Sequence, residues 1–95
     1  MKFSKKFVNK LVTFTDKNFT YDSRKMKREG DNTPFDFVGY DYNDNILTTV
    51  YIRNTNCGLW VDIRQNGQTK FHGFCQNFND VRNFKQAIIN LALRA

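Results

Sequence analysis

The chain has 95 residues, 40% of them hydrophobic and ten of them Phe, which is enough for one domain over residues 1–95 with a single core. No stretch approaches the roughly 18–20 apolar residues of a membrane span, and two Cys are too few for a disulfide scaffold. The net charge of +6 favours a polyanionic partner such as nucleic acid, although such a charge also simply keeps a small protein in solution.

The N-terminal segment, residues 1–14, is predicted to form an amphipathic helix. Phe3, Phe7, Leu11 and Phe14 recur at spacings that place them on one face. Such a helix can pack on a core, which we favour, or lie on a membrane surface. The segment lacks the unbroken apolar core of a signal peptide, so we expect a cytoplasmic protein.

Residues 15–34 are predicted to form a basic loop, since Asp, Asn, Gly and the single Pro punctuate this stretch. The loop contains a cluster of basic residues: Arg24, Lys25, Lys27 and Arg28. Such a cluster can contact phosphates, or it can be a solvated surface loop with no partner.

Residues 35–76 alternate between apolar and polar, which predicts an antiparallel sheet of four strands. A bulge at Gly39 would put Tyr40 and Tyr42 on the face of the preceding Phe residues. Asn66–Gly67 predicts a tight hairpin turn, because both central residues of a type I′ turn need positive φ.

Residues 77–95 are predicted to form a second helix that is capped by Asn77 or Asn79. Its apolar residues recur at helical spacing: Val81, Phe84, Ile88 and Leu91. The predicted fold is therefore α+β, with an N-terminal helix, a four-stranded antiparallel meander and a C-terminal helix packed on the sheet.

The two faces of the predicted sheet differ in chemistry. One face is apolar and is expected to carry the C-terminal helix: Val50, Ile52, Leu59, Val61 and Ile63. The other face interleaves aromatic and charged residues: Tyr51, Arg53, Trp60, Asp62 and Arg64. The last strand adds either Phe71 or the pair Lys70 and His72 to this second face, depending on turn length.

The second face has two interpretations. Basic and aromatic residues on a sheet suit nucleic acid, because Arg binds phosphates or base edges and aromatic rings stack on bases. We predict contacts from Tyr51, Arg53, Trp60, Arg64 and Lys70, with the basic loop in support. Alternatively, the N-terminal helix covers Trp60 and turns this face into a second small core.

Residues 50–92 resemble the AP2 and integrase arm-type DNA-binding domains. The resemblance lies in the strand Trp60–Arg64, the turn Asn66–Gly67, the strand Phe71–Phe74 and the Ala-containing helix from Asp80. It implies that an acidic residue and an Arg face DNA while the intervening Ile lies under the helix. It therefore implies DNA contacts from Arg53, Trp60 and Arg64.

No catalytic or metal-binding motif is present, and we expect a protein that is not an enzyme and carries no cofactor. A nucleophilic pair or a zinc site would have to come from Cys57, His72 and Cys75, whose spacing fits neither. With a two-residue turn, Cys57 opposes Gln76 and Cys75 opposes Gly58. The two side chains then point to opposite faces, which predicts free thiols.

The sequence leaves two functions open. The first is a module that binds DNA or RNA. The chain is rich in Asn, Lys, Phe and Asp and poor in Ala and Pro, and this composition resembles that of small bacteriophage accessory proteins, which act in the host-cell cytoplasm. The second function is therefore a protein-binding inhibitor of a host nucleoprotein or defence complex, comparable to an anti-CRISPR protein. Its predicted contact is an acidic, aromatic hairpin: Asp36, Tyr40, Asp41, Tyr42 and Asp44.

Overall fold

The computed structural model describes residues 2–19, 37–43 and 45–92. The elements are α1 (Lys5–Asn18), β1 (Phe37–Asn43), β2 (Ile46–Thr55), β3 (Gly58–Gln65), β4 (Gln68–Cys75) and α2 (Phe78–Ala92). The strands form one antiparallel sheet in the order β1-β2-β3-β4. The predicted helix, four-stranded meander and C-terminal helix are confirmed, and the fold is α+β.

The first helix begins at a serine cap and runs further than its apolar stripe predicts. The Ser4 hydroxyl accepts a hydrogen bond from the backbone N–H of Phe7 at 3.1 Å. The helix continues to Asn18, so the predicted end at residue 14 is wrong. Thr15, which the sequence assigned to the loop, donates its hydroxyl to the Leu11 carbonyl at 2.9 Å and is fully buried. This hydrogen bond satisfies the Thr15 hydroxyl, so a polar residue can lie buried against the core.

The turn between β3 and β4 is the tight hairpin that the sequence predicts. Asn66 has a φ of 52° and Gly67 a φ of 83°, so both lie in the left-handed region that a type I′ turn requires. The bulge predicted at Gly39 is absent. Gly39 lies opposite Val50 within an unbroken register between β1 and β2.

A register shift does occur between β3 and β4, two residues after the tight turn. Arg64 lies opposite Thr69, whereas the neighbouring Ile63 lies opposite Phe71. Lys70 is therefore an extra residue on β4, as in a β-bulge. Because side chains alternate along a strand, this one residue decides which face every later β4 side chain joins.

The bulge changes three pairings expected from the turn alone. Cys75 lies opposite Leu59 and not opposite Gly58. Phe74 lies opposite Trp60, and His72 lies opposite Asp62. Directly opposed residues share a face of the sheet, so Phe74 and His72 join the face of Trp60.

Both helices pack on the same side of the sheet, which we call the helix side. A single core joins them to the strands: Phe3, Val8, Leu11 and Phe19 from the N-terminal region, Phe37, Val50, Ile52, Leu59, Val61, Ile63 and Cys75 from the sheet, and Val81, Phe84, Ile88 and Ala92 from α2. The Asn54 side-chain amide also donates to the Phe3 carbonyl at 3.1 Å. The prediction that α2 covers the apolar face is confirmed.

Contacts between the two helices fix α1 beside α2. The ring of Phe78, at the start of α2, lies 5.6 Å from the ring of Phe3 and 5.3 Å from that of Phe7, both edge-on. Further along, the Lys85 ammonium lies 5.1 Å from the centre of the Phe14 ring. The alternative in which α1 crosses the other face and covers Trp60 is therefore wrong.

In the described ranges, neither helix has the length and hydropathy that crossing a membrane requires.

Two Phe→Ala substitutions test this arrangement of faces. Phe84 is fully buried on the helix side, so Phe84→Ala is expected to lower the free energy of unfolding by about 3–5 kcal/mol. Phe74 is 40% exposed on the opposite side, so Phe74→Ala is expected to lower it by less than about 1 kcal/mol. Urea unfolding measures both. Equal losses would mean that the Phe74 ring is in the core and that the bulge is misplaced.

Candidate nucleic-acid interface

Four of the predicted contact residues lie together on the side of the sheet away from the helices, which we call the outer face. Arg53 lies opposite Trp60, and Tyr51 lies opposite Asp62, in the pairing of β2 with β3. Arg64 follows on β3, opposite Thr49. No helix of the described residues covers this face. The alternation of these two strands, read from the sequence, is confirmed.

A row of one cation and two aromatic rings crosses the outer face near its β2–β3 turn. The row consists of Arg53, Trp60 and Phe74, one from each of three adjacent strands. Arg53 is exposed, Trp60 is partly buried and Phe74 is 40% exposed. Since neighbouring strands lie about 4.8 Å apart, the three side chains form a continuous surface.

An ion pair occupies the centre of the outer face. The Arg64 Nε and Nη2 atoms donate to the two carboxylate oxygens of Asp62 at 3.4 and 3.2 Å. The Asp62 side chain is only 4% exposed, whereas that of Arg64 is 45% exposed. The hydrogen bond to Asp62 and its negative charge raise the pKa of Arg64. The Arg64 guanidinium also lies over the Tyr51 ring, 5.4 Å from its centre.

The last strand contributes one predicted contact and one that the sequence reasoning missed. Lys70, at the bulge, is exposed, and its Nζ lies 3.5 Å from the Gln68 side-chain oxygen. Phe74 was missed because the position of the bulge was unknown. The spacing of Phe71 and Cys75 was the available signal, since apolar residues four apart share a strand face and leave Phe74 on the other.

The aromatic residues of the predicted protein contact lie at the opposite end of the same face. Tyr40 and Tyr42 are 41% and 50% exposed, and Tyr42 lies opposite Leu47, which is 41% exposed. Leu47 was not predicted as a contact. Asp41, which was, points to the helix side and is 8% exposed. It lies apart from Tyr40 and Tyr42 because successive side chains of a strand point to opposite faces of the sheet.

The remaining predicted contacts lie outside the described residues. They are Arg24, Lys25, Lys27 and Arg28 of the basic loop and Asp36 and Asp44 of the acidic hairpin. The described ranges alone contain ten Lys and Arg residues against four Asp. The described part of the chain, which includes the outer face, is therefore basic even when the charges of the basic loop are not counted.

A second basic surface lies on the exposed side of α1, away from the sheet. Lys2, Lys5, Lys6 and Lys10 are all exposed there. Three of them line a shallow depression together with Asn9 and Thr13: Lys5, Lys6 and Lys10. This surface carries charge without exposed aromatic rings, so it can attract polyanions but offers nothing for bases to stack on.

The residues considered for catalysis or metal binding are separated by the fold. Cys75 is buried on the helix side, Cys57 is exposed in the β2–β3 turn, and both are free thiols. His72 lies on the outer face, so it shares no face with Cys75. Within the described residues, no group of His, Cys, Asp or Glu could hold a metal ion.

Comparisons with protein-family models, with curated proteins and with solved structures found no match to this chain.

The two thiols are expected to differ in reactivity. Burial, with a smaller contribution from the charge of Asp80, raises the pKa of Cys75 to about 11. A thiol-reactive dye at about pH 8 is therefore expected to label Cys57 quickly and Cys75 only after unfolding. Counting labelled thiols in folded and unfolded protein measures this, and Cys57→Ser removes the fast reaction. Two thiols reacting at equal rates in the folded protein would contradict the burial of Cys75.

The same pKa shift predicts how stability depends on pH. The Cys75 thiol ionises near its ordinary pKa of 9.0 in the unfolded chain but near 11 in the folded one. The unfolded state therefore loses its proton first, and the contribution of Cys75 to stability falls as pH rises from 9.0 towards about 11. Cys75→Ala is expected to flatten this part of the stability curve, measured by urea unfolding at a series of pH values.

Proposed function

We propose that this chain is a small, basic, non-enzymatic module that binds nucleic acid through the outer face of its sheet. The observation that carries the proposal is the row of Arg53, Trp60 and Phe74, with Arg64 two residues beyond Asp62 on the same strand. A cation beside two aromatic rings supplies both interactions that nucleic acid needs, one with phosphate and one with bases.

The energetics of these contacts favour nucleic acid over a simple anion. Stacking one base on an aromatic side chain contributes about 1–3 kcal/mol. Arg53 is exposed, so its guanidinium is accessible to a phosphate. The basic surface of α1 faces away from the sheet, so it adds to the general attraction between the protein and a polyanion and not to the contacts of the outer face.

The choice of DNA over RNA rests on the resemblance to the AP2 and integrase arm-type domains. That resemblance implies that Asp62 and Arg64 face the nucleic acid while Ile63 lies under a helix. In this chain Asp62 and Arg64 belong to the outer face, and Ile63 is fully buried on the helix side. This order supports the proposal and makes DNA the first ligand to test.

Removing the charge of Arg53 tests the proposal. Arg53→Ala is expected to weaken binding and to reduce the slope of log affinity against log salt by about 0.7–0.9, the contribution of one phosphate contact. Trp60→Ala is expected to weaken binding by about 1–3 kcal/mol with little change of that slope, because stacking is not ionic. Gel shifts or fluorescence anisotropy with random DNA and RNA across a salt series measure both effects.

Arg82→Ala is the matched control, because Arg82 is exposed on α2 and lies on the other side of the molecule. It removes the same charge without touching the outer face. If Arg82→Ala and Arg53→Ala change affinity and slope equally, binding follows net charge alone and the outer face is not the site. If folded protein shows no shift at low salt with either nucleic acid, the proposal fails.

A second candidate function is protein binding, and the exposed apolar group of Tyr40, Tyr42 and Leu47 favours it. These side chains adjoin one another at the β1–β2 end of the outer face and are 41–50% exposed. Exposed aromatic residues are enriched at protein interfaces. Since the composition resembles that of small bacteriophage proteins, the proposed partner is a host nucleoprotein or defence complex.

Capture of such a complex from a host lysate, with and without nuclease, separates the two functions. A protein contact is expected to survive nuclease and to be lost in Tyr42→Ala, whose ring is half exposed. Arg82→Ala is expected to retain it. Loss of the complex after nuclease treatment would show that nucleic acid, and not protein, holds the two together.

A further inference from the structure

The geometry of the Asp62–Arg64 ion pair, at the centre of the outer face, bears on whether this face binds single-stranded or double-stranded nucleic acid. Asp62 is buried between two outer-face neighbours, with Tyr51 directly opposite on β2 and His72 directly opposite on β4. An isolated buried carboxylate is costly, and Asp62 is compensated by two hydrogen bonds from Arg64. Those hydrogen bonds fix the plane of the guanidinium.

The hydrogen bonds to Asp62 use only one edge of the Arg64 guanidinium. The edge that carries Nε and Nη2 faces Asp62, and the group has five N–H donors in total. The other edge, between Nη1 and Nη2, keeps parallel N–H groups on a side chain that is 45% exposed. Stacking over Tyr51 restrains the same group further. Arg64 therefore presents a fixed fork of donors in place of a mobile charge.

Neutralisation by Asp62 also lowers the positive charge at the centre of the outer face. The cation that remains on this face in β2 and β3 is Arg53, which lies near the β2–β3 turn, and the exposed Lys70 lies at the bulge on β4. A duplex is bound mainly through its densely charged backbone, and its bases are already stacked on each other. Exposed rings such as Phe74 can stack only on bases that are unpaired. Trp60 and Arg64 lie about 13 Å apart along β3, so a strand crossing the face can meet both.

We propose that the outer face binds single-stranded nucleic acid, and that Asp62 is a positioning residue that holds Arg64 as a fixed donor fork for the edge of an unpaired base. This inference rests on the proposed function, and it names the form of nucleic acid that the site takes. An acceptor pair on the pairing edge of an unpaired base, such as N3 and O2 of cytosine, matches two parallel N–H groups and is hidden in a duplex.

The first test compares a mixed-sequence single strand of about 12 nucleotides with the duplex of the same sequence. The single strand is expected to bind at least about tenfold more tightly and to quench Trp60 fluorescence, as one base stack alone supplies that factor. Equal affinity for the two forms would overturn the inference while leaving the proposed function intact. Absence of binding to either form would instead overturn the proposed function.

Asp62→Asn tests the positioning role, because it removes the charge while keeping the shape. Freed from its partner, Arg64 is expected to steepen the salt dependence of binding by about 0.7 in slope and to reduce the preference for single strands. A purely structural role would lower the melting temperature and leave the slope unchanged, and that result would overturn the assignment.

Arg64→Lys covers the case in which Asp62→Asn does not fold. Lys keeps the positive charge beside Asp62 but has no planar fork. It is expected to reduce the preference for the single strand about tenfold while the salt slope stays within about 0.3 of the original. Arg82→Lys on α2 is the matched control and is expected to change neither quantity. An unchanged preference in Arg64→Lys would overturn the inference.

Discussion

Burial of both helices against one side of a single sheet is the constraint on which the rest of this structure depends. One continuous core contains Leu11 from α1, Ile63 from the sheet and Phe84 from α2, all nearly inaccessible to solvent. Each such side chain contributes about 1.5–3 kcal/mol when buried, so the shared core dominates stability. Because α1 and α2 use the same side, neither covers the outer face with its aromatic and charged residues.

The second determinant is a shift of one residue between β3 and β4. Side chains alternate in direction along a strand, so an extra residue at Lys70 inverts every position that follows on β4. It places Phe71 against Phe84 on the helix side, with ring centres 5.9 Å apart, and Phe74 beside Trp60 on the outer face. The bulge thus completes the core and the candidate interface together.

The ion pair on the outer face is explained by the burial of Asp62 as well as by the opposite charges of Asp62 and Arg64. Asp62 is held among strands in the middle of the sheet, where a carboxylate needs a close partner. Arg64 meets that need, and the two side chains together carry no net charge. The face therefore combines a neutral ion pair at its centre with an exposed cation and two aromatic rings in one row near the β2–β3 turn. Under the proposed function, the rings would stack on bases and the cation would bind phosphate.

Much of the fold was predictable from the sequence, since local patterns specify local structure. Alternation along β2 and β3, the Asn66–Gly67 turn and the apolar spacing in α2 all depend on residues within a few positions of each other. The placement of Trp60 and Arg64 on one face and Ile63 on the other followed from that alternation. The exposure of Tyr40 and Tyr42, by contrast, depended on whether Gly39 breaks the register.

By itself, then, the sequence determined which segments are helices and strands and which side chains share a face within β2 and β3. Only the tertiary structure decided that α1 lies beside α2, that the bulge falls at Lys70, and that Phe74 joins Trp60. These outcomes depend on contacts between residues far apart in the chain, such as Phe3 with Phe78. The sequence pattern of α1 is equally compatible with either side of the sheet. Packing beside α2 on the helix side is the more favourable arrangement for α1. It buries more of the Phe side chains of α1 than packing on the charged outer face would.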